Sequence, residues 1–171
     1  MKNGKLIALS AITTAISIVL LVIGAYFPTL DLSALFTSAL LITLPLAKKS
    51  VKGAFLTFLA TGILALIFTV SRFYVAILYL AFFGVHPILN YFQLNSTKNL
   101  KFLYGIKAVW FVGVCFLMYY AFSMFVAEAY FIKEYIPIII VVLGLIFYII
   151  YDIVLIRFQK MTDRIIKKLG L

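Results

Sequence analysis

The chain has 171 residues, 66% of them hydrophobic and 12% charged, whereas a soluble domain is nearer half apolar and a quarter charged. That balance excludes an ordinary soluble fold and indicates an all-α, polytopic membrane protein with one transmembrane domain. The net charge of +10 would suggest nucleic acid in a soluble chain, but here the cations fall in the links between apolar runs. It is a topology signal, and no nucleic-acid partner is expected.

In chain order, Lys2 and Lys5 precede a charge-free run from Leu6 to Phe27. The run is too long for a signal peptide and lacks an Ala-x-Ala cleavage site, so it is expected to remain as a first transmembrane helix. A helical crossing needs about 20 apolar residues. Five further segments come close: Leu32–Ala47, Gly53–Val70, Phe73–Tyr91, Phe102–Val126 and Ile136–Ile156. The second is short, and Pro45 near its end predicts termination or a kink there. The links are too short for a soluble domain, so successive helices are antiparallel neighbours. Cys115 lies inside an apolar run, which rules out an internal disulfide framework and leaves inert packing as its expected role.

Charge placement gives an orientation. One side collects Lys2, Lys5, Lys48, Lys49, Lys52, Lys98, Lys101 and the tail cations Arg157, Lys160, Arg164, Lys167 and Lys168. The other has only Arg72 and Lys133 as cations, beside Asp31, Glu128 and Glu134. Basic residues mark cytoplasmic loops, so a six-helix bundle in the plasma membrane with both termini cytoplasmic is expected. The transmembrane domain spans residues 1–157, followed by a basic amphipathic tail, 158–171. In that tail Phe158, Met161, Ile165 and Leu169 recur at helical spacing, which predicts a helix lying on the inner surface against anionic membrane lipid.

Two segments carry ladders of small residues. The first has Ala8, Ala11 and Ala15 along one face; the third has Gly53, Thr57, Thr61, Ala65 and Thr69, each four after the last. Such ladders let backbones approach closely where oil gives no hydrophobic drive. They are expected either to pack inside the bundle or to face another membrane protein.

Six helices, cytoplasmic ends and Ala11-Ile-Thr-Thr-Ala15 in the first helix resemble a substrate-binding S component of an energy-coupling factor transporter. The resemblance implies that Ala11 and Ala15 contact a transmembrane T component, and that two ATPase subunits supply the energy. It also implies a small-molecule ligand, a vitamin or related micronutrient, in the outer half. That half offers Asp31, Arg72, Tyr74, Tyr119, Tyr120 and Glu128, aromatic and polar groups of the kind a small-molecule pocket uses and also of the kind an interfacial aromatic belt uses.

A second polar group lies towards the inner side. His86 and Asn90 share a helix face, and Pro87 with Gly84 predicts a kink beside them. Lys107 stands about 9 Å beyond Lys101, and Asp152 about 7 Å from Arg157, at 1.5 Å per residue. The four share one depth, which favours a Lys107–Asp152 pair inside the bundle with His86 nearby, since an isolated charge there costs roughly 3 kcal/mol or more. A proton relay is the sharper alternative.

Enzyme motifs are absent: there is no His-Glu-x-x-His, no Gly-x-Ser-x-Gly, no phosphate loop, and His86 is the single histidine. No metal, cofactor or catalytic residue is expected. Beside the S-component reading stand a non-transport assembly or accessory protein and a small proton-coupled carrier.

Overall fold

The computed structural model describes residues 2–96, 101–123 and 135–168. These are helical almost throughout, with no strand among them. Among the described residues five helices are long and apolar enough to cross a membrane, which by length and composition makes this a multi-pass membrane protein; Asp31–Ala47 is a shorter apolar helix. The chain forms two compact units, Met1–Asn95 with Leu155–Leu171, and Ser96–Val154.

In the first unit α1 runs Lys2–Tyr26 and ends in a tight turn, Pro28–Leu30. The chain then returns along it as α2, Asp31–Leu41, and α3, Thr43–Ala47. The shift at Ile42 lies three residues before Pro45, whose missing N–H and bulky ring prevent a regular turn there. Next, α3 closes with Lys49 N–H on Leu46 C=O (2.7 Å) and Ser50 N–H on Pro45 C=O (3.0 Å), with Lys49 left-handed at φ 57°. That double closure is a Schellman cap, in which glycine usually holds the left-handed position.

Ser50 caps α4, Val51–Phe68, by accepting from Gly53 N–H at 3.1 Å. The small-residue ladder of α4 is buried and packs on α1. Thr57 Oγ1 donates to Ser10 C=O at 3.4 Å, and a Cβ on Gly53 would lie 2.8 Å from Ser10 Oγ. Gly53, Thr57 and Thr61 thus pack inside the unit, the first of the two arrangements that their spacing allowed. The periodicity announced a close approach but not which helix would make it.

The fourth segment is not one regular helix. A turn at Val70–Arg72 leads into α5, Tyr74–Leu78, then a π-helical turn, Tyr79–Phe83, and α6, His86–Asn95. Gly84 N–H reaches back five residues to Tyr79 C=O (2.7 Å), while Ile88 and Leu89 N–H share Val85 C=O. The widened turn removes the demand for a hydrogen bond that Pro87 cannot make. A Cβ on Gly84 would meet Phe58 at 2.6 Å and the Tyr79 ring at 2.9 Å, so only glycine fits between those rings.

The second unit pairs α7, Lys101–Ser123, with the first half of α8, Ile136–Lys168. At 33 residues α8 is about 50 Å long, against a hydrocarbon core of about 30 Å. No glycine or proline interrupts it between Gly144 and Lys168. The basic tail from Phe158 is helical as far as Lys168 and continuous with this helix. Its buried stripe is Leu155, Gln159 and Thr162, while Met161 and Ile165 are exposed; Leu169 lies outside the described residues.

The burial pattern suits oil. Thr13, Ser17, Ser38, Thr43 and Thr69 are buried while Ile12, Val19, Ile63 and Ile67 are exposed. Four of these five hydroxyls donate to carbonyls: Thr13 Oγ1 to Leu9 (2.8 Å), Thr43 Oγ1 to Leu40 (2.6 Å) and Thr69 Oγ1 to Ala65 (2.7 Å) one turn back along the chain, and Ser38 Oγ across to Ser17 of α1 (3.2 Å). A hydrogen bond between helices such as that of Ser38 to Ser17, together with close small-residue contacts, is how helices associate in a bilayer. Replacing Gly53 with Leu therefore should force α4 off Ser10 and cost about 1–3 kcal/mol, measured as a lower melting temperature of the detergent-solubilised protein, whereas Leu56→Ala at an exposed position should change it little.

Candidate functional site

Two polar clusters stand out, one in each unit. The first gathers where α1 ends and α4 ends. The turn after α1 sets Asp31 as the first residue of α2, a position where the helix dipole favours an acid. The turn after α4 is fixed by Arg72 N–H on Thr69 C=O (2.8 Å), which holds Arg72 two residues before Tyr74. Tyr74 Oη donates to Asp31 Oδ2 at 2.5 Å, and Arg72 Nη1 donates to Tyr74 Oη at 3.5 Å. Asp31 Oδ1 is buried and makes no hydrogen bond to the described residues. A charge-assisted O–H···O⁻ contact of this length is short and strong.

Three of the outer-half residues singled out in the sequence, Asp31, Arg72 and Tyr74, thus converge. Tyr119 and Tyr120 belong to the second unit, on α7, where their rings meet edge-on with centroids 5.3 Å apart and Tyr120 also stacks on Phe116. Tyr120 is exposed, as an interfacial aromatic would be. Glu128 lies outside the described residues.

The second cluster is the Lys107–Asp152 pair. Lys107 Nζ meets Asp152 Oδ1 at 2.9 Å, with the side chains only 2% and 5% exposed. The ammonium also sits 4.9 Å from the centre of the Tyr104 ring, one helical turn earlier on α7. On α8, Tyr148 lies one turn before Asp152 and donates its hydroxyl to Tyr104 C=O at 3.3 Å. Phe111 stacks on Phe147 and lies tilted against Tyr148, closing the site with aromatic surface. Tyr104, Lys107 and Phe111 fall at intervals of three and four, as do Tyr148 and Asp152, so each set shares one helix face.

His86 and Asn90 belong to the first unit. Both are fully buried, and the His86 ring packs on Phe82 with centroids 4.7 Å apart. Gln159, in the same unit, was not singled out in the sequence. It is 1% exposed, and neither amide atom has a hydrogen-bond partner among the described residues. Its signal was its place in the Leu155–Gln159–Thr162 register, overlooked because the apolar stripe of the tail pointed elsewhere.

The two ladders differ. Gly53, Thr57 and Thr61 are buried, but Ala8, Ala11 and Ala15 of α1 are exposed, because α1 turns Thr13, Ser17, Leu21 and Ala25 inward instead. Among the described residues no group of three or more His, Cys, Asp or Glu is placed to hold a metal ion. No family model, curated protein or solved structure matches this chain.

A buried ion pair is sensitive to losing one partner, since the other charge is then stranded; the cost is about 3–5 kcal/mol. Lys107→Met or Asp152→Leu alone should therefore lower the melting temperature sharply. The double substitution should recover most of the loss, and a double variant no more stable than the singles would show that the pair is not the source.

Proposed function

We propose that this protein is the substrate-capture subunit, or S component, of an energy-coupling factor importer for a vitamin or related small micronutrient. The observation that carries this reading is the exposed Ala8, Ala11 and Ala15 face of α1. Its small side chains leave the backbone open to close approach by a second membrane protein, which is the role of this face in the family that the sequence resembles. The chain itself performs no catalysis. A T component grips α1, two ATPases supply energy, and Asp31, Tyr74 and Arg72 offer a carboxylate, a phenol and a guanidinium to a small polar ligand.

In this reading the chain crosses the plasma membrane six times with both termini cytoplasmic, following the positive-inside rule. The sixth crossing is Asp31–Ala47, whose 17 residues reach about 25 Å. It falls a little short of the core, and the long stems of Lys48 and Lys49 make up the difference by extending to the headgroups.

One observation favours a second reading, a non-transport assembly or accessory subunit using the same α1 face. Tyr74 bridges Asp31 and Arg72, so the cluster also serves as a clasp between helix ends with no ligand at all.

Co-expression with a T component and two ATPases should yield a complex, and Ala11→Leu or Ala15→Leu should reduce its recovery at least tenfold while the subunit alone stays folded. Recovery indifferent to both substitutions would overturn the assignment of this face. Topology is read separately in a Cys115→Ser background: Arg72→Cys should react with an impermeant thiol reagent on whole cells, and Lys49→Cys only after the membrane is opened.

A further inference from the structure

A groove of about 1120 Å³ runs between α1 and α4. Ile7, Ala11 and Ile18 line one side, and Leu56, Ala60 and Leu64 the other. Its floor is the close contact of Ser10 with Gly53 and Thr57, so the helices touch below and splay above. The volume exceeds the roughly 300–1,000 Å³ of ordinary small-molecule sites.

One end of this apolar trough is strongly basic. Lys48, Lys49 and Lys52 all line it, and no acidic residue does. Asp31 is the single Asp or Glu in Met1–Asn95, and it lies at the other end of α1. The N-terminus of α4 enters beside the three lysines and adds the positive end of its dipole.

Lys49 makes the point sharper. It holds the left-handed position of the cap, φ 57°, where glycine would be easier for the backbone. A long cation is retained at a strained position that opens onto the groove.

We infer that this groove seats one anionic phospholipid. The lysines take its phosphate, and an acyl chain lies along the aliphatic walls between α1 and α4. Charge complementarity selects this occupant. A second copy of the chain, placed by two-fold symmetry, would bring the same three lysines to the same mouth. A free phosphate would leave the apolar length of the groove without a partner. Ala11 and Ala15 line this groove and also belong to the α1 face assigned above to a T component, so the lipid is the occupant of the uncomplexed subunit, and its binding to the isolated protein is read without a T component present.

The test is native mass spectrometry of the intact, delipidated protein titrated with phosphatidylglycerol, phosphatidylcholine or glycerol phosphate. One phosphatidylglycerol should be retained, and phosphatidylcholine and glycerol phosphate at least tenfold more weakly. Each lysine near an anionic lipid surface is worth about fivefold, so Lys48→Gln, Lys49→Gln and Lys52→Gln together should weaken phosphatidylglycerol on the order of a hundredfold. Lys49→Gly keeps the cap and removes one charge, so it should lose affinity with no loss of melting temperature. Ala60→Phe should obstruct the trough and weaken binding with every lysine in place. Equal retention of the two phospholipids, or a triple variant that binds as the parent does, would overturn the inference. So would glycerol phosphate binding as tightly as the lipid, or a dimer of the isolated protein that fills the groove and excludes lipid.

Discussion

Within hydrocarbon, helices gain nothing by hiding apolar surface from one another, and every polar backbone group must be satisfied inside the chain. The contact of Ser10 with Gly53 and Thr57 answers both demands. Without a Cβ at Gly53, α4 approaches α1 closely enough for a threonine hydroxyl to reach a main-chain carbonyl of its neighbour. That approach fixes the floor of the α1–α4 groove. The other side of α1 meets α2 through Ser17 and Ser38 in the same manner.

The same constraint explains why the polar groups are few and concentrated. Lys107 and Asp152 are tolerated at 2% and 3% exposure because they neutralise each other, with aromatic side chains excluding alternatives around them. Asp31, Tyr74 and Arg72 sit at helix ends, where a carboxylate and a guanidinium are less costly. The cluster deep in the second unit has the character of a structural joint, and the one at the helix ends keeps a carboxylate oxygen, Asp31 Oδ1, without a hydrogen-bond partner among the described residues.

Much of this was legible in the sequence because it depended on position along a helix. The pairing of Lys107 with Asp152 followed from rise per residue, the irregularity before Pro87 from a missing donor, and the grouping of Asp31 with Arg72 from the alternation of links. What depended on azimuth was not legible. A ladder such as Gly53, Thr57 and Thr61 says that something comes close, without saying whether it is a neighbour in the chain. In the tail the apolar stripe does not mark the side that packs on the protein, since Gln159 and Thr162 are buried and Met161 and Ile165 are exposed. In a chain whose lipid-facing surface is oily, an apolar stripe carries little information about which side faces the protein.

The π-helical turn at Tyr79–Phe83 bears on how such a chain changes over generations. A turn of this kind is what a regular helix becomes on accommodating one extra residue, and each residue advances an α-helix by about 100°. The length of this short stretch therefore acts as a rotary setting for everything after it. Val75, Ala76 and Tyr79 face inward before the turn, and His86 and Asn90 face inward after it. Loss of a single residue here would swing the imidazole and the amide about a quarter-turn around the helix axis, altering the polarity of the interior without the substitution of any side chain.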